Sequence, residues 1–196
     1  MVPAMSFQTL FDFEKALCRF TGSAYAVVTD CCTHALELAL LYDQVRSCEF
    51  SAFTYLSVPQ LMHKLNIDYR LTNETWCGEY QLHGTRIWDS ARRLEPNMYR
   101  ASQIQCVSFG WSKPLHLGRC GALLLDDVEA YDHISRMRAD GRDLSFEPWQ
   151  DQQVFGPGFH YCPTLEICEL GLAKLSEFSG QCQTAVYPDC RKIQIV

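Results

Sequence analysis

The sequence predicts a layered α/β domain, on three observations. Short, continuous apolar runs at 24–29, 103–109 and 119–125 have the length and composition of buried strands. Segments with apolar residues at helical spacing alternate with such runs through most of the chain. The length of 196 residues, 47% hydrophobic and 20% charged, suits one domain with a sizeable core.

Taken in order, residues 7–20 form an amphipathic helix through Phe7, Leu10, Phe11, Ala16, Leu17 and Phe20, with Gly22 as its stop. The strand at 24–29 leads through Asp30-Cys31-Cys32-Thr33 into an apolar helix that Asp30 or Thr33 is positioned to cap. Strand, short polar turn and helix N-terminus form a layout that binds anions, and also one that ordinary capped helices share. A short strand at 48–50 precedes a loop with two aromatics, Phe53 and Tyr55. A helix at 56–65 takes Pro59 in its first turn. A weak strand follows at 68–71, and residues 72–84 lack periodicity.

The strand at 85–89 ends in Asp89, followed by Ser90-Ala91-Arg92-Arg93. A carboxylate at the C-terminal end of an interior strand suits a site, and equally a helix N-cap. Between the strands at 103–109 and 119–125 lies a short link with Gly110, Lys113 and Pro114. Lysine is rarely buried, and a partly desolvated one can form a Schiff base; a surface hairpin lysine is the plainer alternative. Asp126 or Asp127 caps a helix ending near Gly141. Residues 142–163 are a long aperiodic segment rich in aromatics, 164–178 a last helix, and the tail is too weakly patterned to assign.

The net charge of −6 argues against nonspecific binding to a nucleic-acid backbone. Eleven cysteines, odd in number and without C-x-x-C spacing, read as reduced thiols of a cytoplasmic protein rather than a disulfide scaffold. His160-Tyr161-Cys162 is a weak metal pattern, and no metal is expected. No apolar run approaches the roughly 20 residues of a membrane helix, and no signal peptide is read.

Together these pieces resemble the DegT/DnrJ/EryC1/StrS sugar aminotransferases, pyridoxal 5′-phosphate (PLP) enzymes of fold type I, from about Phe13 to Leu175. Val28 to Leu36 resembles the family's Ser-Gly-Thr-x-Ala-Leu phosphate turn, and Phe53-Thr54-Tyr55 its Thr-aromatic pair. Trp88-Asp89-Ser90-Ala91 resembles its Asp-Ala-Ala element. Ser108-Phe109 through Lys113, then Gly118-Arg119-Cys120-Gly121, resembles Ser-Phe-x-x-x-Lys followed by Gly-Glu-Gly-Gly. Gly158-Phe159-His160-Tyr161 resembles Gly-x-Asn-x-Arg.

The resemblance implies a three-layer α/β/α fold with a mostly parallel central sheet. It makes residues 1–178 a PLP-binding large domain, compressed around 71–85, and 179–196 a short tail where most of the small C-terminal domain is lacking. It implies a Schiff base on Lys113, which would also shuttle the Cα proton, and a pairing of Asp89 with the pyridinium nitrogen. Tyr55 would stack on the ring; Cys32, Thr33 and Ser108 would surround the phosphate, with Arg92 beside the cofactor or an anionic substrate group. His160 would reach the phosphate of a partner subunit, implying a homodimer. The implied reaction carries an amino group from an amino acid to a keto-sugar nucleotide or similar carbonyl, in nucleotide-sugar biosynthesis.

This chain departs from the family pattern at Cys32 for glycine, at Arg92 for glutamine or histidine, at Arg119 and Cys120 for Glu-Gly, and at His160 for asparagine. Cys32 adds a side chain where close backbone approach is expected, so a catalytically reduced cofactor-binding or oligomeric module is the alternative. The related sugar dehydratases carry histidine in place of the lysine, which counts against that branch.

Overall fold

The computed structural model describes residues 7–146, 148–184 and 186–193. Its centre is a five-stranded sheet in the order β1-β8-β7-β5-β4, made of β1 (Tyr25–Thr29), β4 (Tyr80–Gln81), β5 (Ile87–Asp89), β7 (Ile104–Ser108) and β8 (Gly121–Leu125). The α/β class holds, but the sheet is mixed, which corrects the expectation of a mostly parallel one. Only β5 and β7 pair in parallel; β1–β8, β8–β7 and β4–β5 are antiparallel. The reason lies in the connections. The link carrying Lys113 joins β7 directly to β8, and a direct link without a crossover helix turns the chain back on itself. A separate parallel pair, β2 (Ser47–Ser51) and β3 (Asp68–Thr72), is joined by helix α3 (Ser57–Leu65).

Two cores cover the two sheet faces. Alternation divides them: Val27, Cys106, Leu123 and Leu125 point to one side, and Ala26, Val28, Val107, Ala122 and Leu124 to the other. On the first side lie α2 (Cys32–Tyr42), α3 and α4 (Val128–Arg138). On the second, α1 (Gln8–Thr21) packs against α5 (Leu165–Ser176). The layers are thus α/β/α.

Helix boundaries follow the local chemistry. α1 ends at Gly22, and Pro59 sits in the first turn of α3. Asp127, not Asp126, caps α4 by accepting from Glu129 and Ala130 N–H. α2 is a correction: its N-cap is Cys31, and neither Asp30 nor Thr33 caps it. Asp30 instead pairs with His34 and Arg119, while the Thr33 hydroxyl bonds Ser57, 2.8 Å away.

A buried ion pair ties the layers together. Arg138 of α4 is 1% exposed and pairs with Glu14 of α1, which also accepts from Val28 N–H. Arg138 Nη1 donates to Val28 O at 3.0 Å, so both ends of the pair grip the middle of β1. The aperiodic stretch 142–163 is anchored at its far end, where Phe159 and Tyr161 bond back to the end of α4 and Tyr161 stacks on His34. The tail is also ordered into the body: β9 (Gln181–Cys182) pairs antiparallel with β6 (Arg93–Leu94).

Candidate active site

The site forms where β5 and β7 end together. Asp89 lies opposite Cys106 in the register, and Ser90 N–H donates to Cys106 O at 2.8 Å. This pairing sets the Asp89 carboxylate beside the strand that runs into the lysine link. That link is not a free hairpin. Phe109 bonds both Leu117 and Cys120 through its backbone, Lys113 N–H closes a turn on Gly110 O, and Phe109, Leu115 and Leu117 are buried. Lys113 itself is half-buried, with three apolar anchors fixing its backbone.

A cavity of about 350 Å³ opens at this point. Of the residues singled out from the sequence, it brings together Cys32, Thr33, Tyr55, Asp89, Arg92, Ser108 and Lys113, with Arg119 and Trp111 at its rim. His160 is not among them: its side chain is 87% exposed and pairs with Asp140 at 3.1 Å, outside the cavity. Arg93 is also elsewhere, bound to Glu79 and Glu95.

Asp89 is 4% exposed. Tyr80 hydroxyl donates to its Oδ2 at 2.9 Å and Ala91 N–H to its Oδ1 at 3.0 Å. The Tyr80 hydroxyl in turn lies 2.6 Å from that of Thr54, giving a buried chain of hydroxyls that ends on the carboxylate. Burial pushes the Asp89 carboxyl above its ordinary value, while the nearby Lys113 charge, Tyr80 and Ala91 pull it back. Burial, reinforced by Asp89, holds the Cys32 thiol well above its ordinary value, so it enters the cavity as a neutral S–H.

A second buried carboxylate braces the wall from behind. Glu79 receives Arg93 and Arg100, each at 2.6 Å, together with Ser90 hydroxyl and the Gln105 amide. Its burial opposes ionisation, but Arg100, Ser90 and Arg93 outweigh that and hold it below the usual carboxylate range. One wall is the start of α2, whose first N–H groups have no side-chain cap. β8 comes very close to it: a Cβ on Gly121 would stand 2.4 Å from Cys32 N, so only glycine permits this approach. At the same turn burial opposes the charge on His34, yet the Asp30 carboxylate and Cys31 raise it to about 9.

Sequence reasoning left four contributors without a role: Thr54, named only within the Thr-aromatic pair, Ser57, Tyr80 and Tyr187. The first three lie in the loop before α3, at its first residue, and in a two-residue strand within a stretch without periodicity. Tyr187 comes from the unassigned tail. Its hydroxyl accepts from Lys113 Nζ at 3.1 Å and from Arg92 Nε at 3.2 Å, and its ring lies near Trp76 and Tyr55. Only its position as an aromatic in a weakly patterned tail could have drawn attention to it.

The sequence profile of the DegT/DnrJ/EryC1/StrS aminotransferase family matches residues 5–68. No curated protein matches in sequence. Among solved structures, the sugar aminotransferase CalS13 of Micromonospora echinospora is similar over 87% of this chain and 60% of its own, with a TM-score of 0.73 at 14% identity. The Helicobacter pylori aminotransferase PseC, involved in the biosynthesis of pseudoaminic acid, is similar over 86% and 57%, with a TM-score of 0.70 at 14% identity. A Streptococcus pneumoniae protein solved in PLP and PMP forms is similar over 87% and 59%, with a TM-score of 0.70 at 15% identity.

Over 86–87% of its length the chain shares the fold of these solved aminotransferases.

The resemblance to the DegT/DnrJ/EryC1/StrS family read from the motifs thus has a sequence match over the first third of the chain and a structural likeness over most of it. The chain spans less than two thirds of the length of these solved aminotransferase chains.

Proposed function

We propose that this protein binds PLP at the cavity and uses it to transfer an amino group. The observation that carries this reading is the pairing, in one cavity, of a lysine amine on an anchored link with a buried carboxylate. Asp89 has two neutral donors and no cation in direct contact among the described residues, so a protonated ring nitrogen would complete it. The uncapped start of α2, with the hydroxyls of Thr33 and Ser108 beside it, suits a phosphate. The donor set therefore fits the cofactor. Lys113 would hold it covalently, Asp89 would hold its ring nitrogen, and Tyr55 would cover the ring.

PLP supplies an aldehyde that captures amines and a ring that accepts electrons from the Cα of the captured amino acid. The remaining work falls to the chain. Lys113 Nζ would accept the Cα proton of the amino donor. Asp89, which accepts from Tyr80 with Thr54 behind it, would orient and hold the proton on the ring nitrogen. Arg92 and Arg119 put cations at the cavity for a carboxylate or a sugar-linked phosphate. In this reading the acceptor is a keto-sugar nucleotide or similar carbonyl compound. The enzyme works in the cytoplasm as a homodimer, where His160 of each chain extends to the partner's site.

The test is a spectrum. Purified protein mixed with PLP is expected to turn yellow, and amino-acid donors are expected to bleach it toward the pyridoxamine form. A colourless protein that takes up no PLP contradicts the reading. A second reading, a cofactor-binding module without turnover, is favoured by Cys32, whose side chain sits where the family has none. PLP uptake that no amino donor can bleach would select it.

A further inference from the structure

Two of the eleven thiols are exposed, Cys77 and Cys182, and they face each other with sulfurs 3.7 Å apart. They are 105 residues apart in sequence. Gly78 makes the approach possible: a Cβ there would stand 2.5 Å from Cys182 Sγ. A disulfide has an S–S distance near 2.0 Å, so rotation about the two Cα–Cβ bonds must bring the sulfurs together by less than 2 Å.

These thiols sit at one end of the segment that crosses the cavity. Gln183 N–H donates to Arg92 O at 2.8 Å, Gly78 N–H donates to Gln183 O at 3.1 Å, and Thr184 bridges Cys77. At the other end Cys190 is buried and its N–H donates to Ala52 O at 2.9 Å. Between these two attachments lies Tyr187, with its hydroxyl on Lys113 Nζ and Arg92 Nε. The first attachment lies at an exposed edge, where its backbone bonds and the Arg92 Nη1 to Gln183 Oε1 bond of 3.1 Å open locally at less cost than buried ones.

We propose that Cys77 and Cys182 are a reversible redox pair, oxidised by a peroxide to a disulfide that fastens residues 181–184, and through them holds Tyr187 across Lys113. The sulfur of Cys77 attacks the peroxide, the O–O bond breaks, one water leaves and a sulfenic acid remains. The sulfur of Cys182 then displaces the hydroxyl, the S–S bond forms and a second water leaves. Two thiols are oxidised and one hydrogen peroxide is reduced to two waters. A dithiol reductant reverses the change by exchange. The consequence for cofactor entry rests on the proposed function; the disulfide and the fastening do not.

The experiment treats the full chain with hydrogen peroxide and maps its thiols by mass spectrometry. A Cys77–Cys182 linked peptide, two hydrogens lighter and restored by dithiothreitol, is the expected product, absent in Cys77→Ser and Cys182→Ser. Amide exchange at Gln183 is expected to slow by about tenfold on oxidation of the wild type and to stay unchanged in Cys77→Ser. PLP uptake by the wild type is expected to slow by a similar factor. No linked peptide, or another cysteine pair forming first, overturns the proposal. A linked peptide with unchanged exchange overturns the fastening. Slowed exchange with equal PLP uptake in both states overturns the gating of the site. Failure to take up PLP in either redox state, with the disulfide and slowed exchange present, overturns the proposed function and leaves the redox pair standing.

Discussion

The floor of the cavity and the segment lying over it are built in opposite ways. The floor is made of strand ends and a link whose anchors Phe109, Leu115 and Leu117 are buried, and Asp89 is held by two donors. The cover, residues 181–184 and 186–190, has one two-residue strand, one exposed thiol, Cys182, and among its described residues one that is buried, Cys190. In the proposed function the floor supplies the chemistry, and in the proposed redox switch the cover governs how readily a molecule reaches it. Changes to the floor should therefore remove function or stability, and changes to the cover should alter rates.

The largest effect is expected from Lys113→Ala, which should leave the fold intact and abolish the covalent chromophore with PLP completely, as read by absorbance. Next is the scaffold beneath the floor. Glu14→Ala strips the fully buried Arg138 of its counter-ion and should cost about 3–5 kcal/mol in denaturant unfolding. A change well under that would mean that water or another group compensates Arg138.

Tyr80→Phe removes the hydroxyl that donates to Asp89 Oδ2 and should cost about 1–3 kcal/mol. It should also push the already raised Asp89 carboxyl further up. PLP affinity should then weaken at neutral pH while the fold persists. Tyr187→Phe, in the cover, should change stability by no more than about 0.5 kcal/mol yet speed PLP uptake, because the hydroxyl no longer engages Lys113. If Tyr187→Phe proves as damaging as Tyr80→Phe, the division between floor and cover fails.

The smallest effect concerns the turn at the start of α2. His34 is raised to about 9 in the folded protein, above its ordinary 6.5. Its pairing with Asp30 therefore contributes stability fully below pH 6.5 and loses it as the pH rises through about 9. The Tm difference between the wild type and His34→Gln should shrink across that interval and be largest below it.

This contrast also marks what could be read from the residues alone. The buried stretches Ala26, Val27, Val28 and Leu123, Leu124, Leu125 are apolar because both sheet faces are covered, so the strands' existence and the α/β class were legible. Asp89 and Lys113 stood out because a carboxylate and a lysine at strand ends break an apolar pattern, and the structure brings them to one cavity. Strand direction was not legible, because an apolar strand reads the same whether its neighbour runs parallel or antiparallel. The Asp30 cap failed because His34 and Arg119, one turn on and far along the chain, compete for the same carboxylate. Tyr80 and Tyr187 carry no periodic signal; their positions are fixed by partners distant in sequence, Thr54 and Asp89 for one, Lys113 and Arg92 for the other.

The most direct test of the central claim is borohydride reduction of the PLP-treated protein, followed by peptide mapping. The account predicts one stoichiometric pyridoxyl label on Lys113, present in the wild type and in Tyr187→Phe. A label spread over surface lysines such as Lys15 and Lys64, or no label at all, would contradict it.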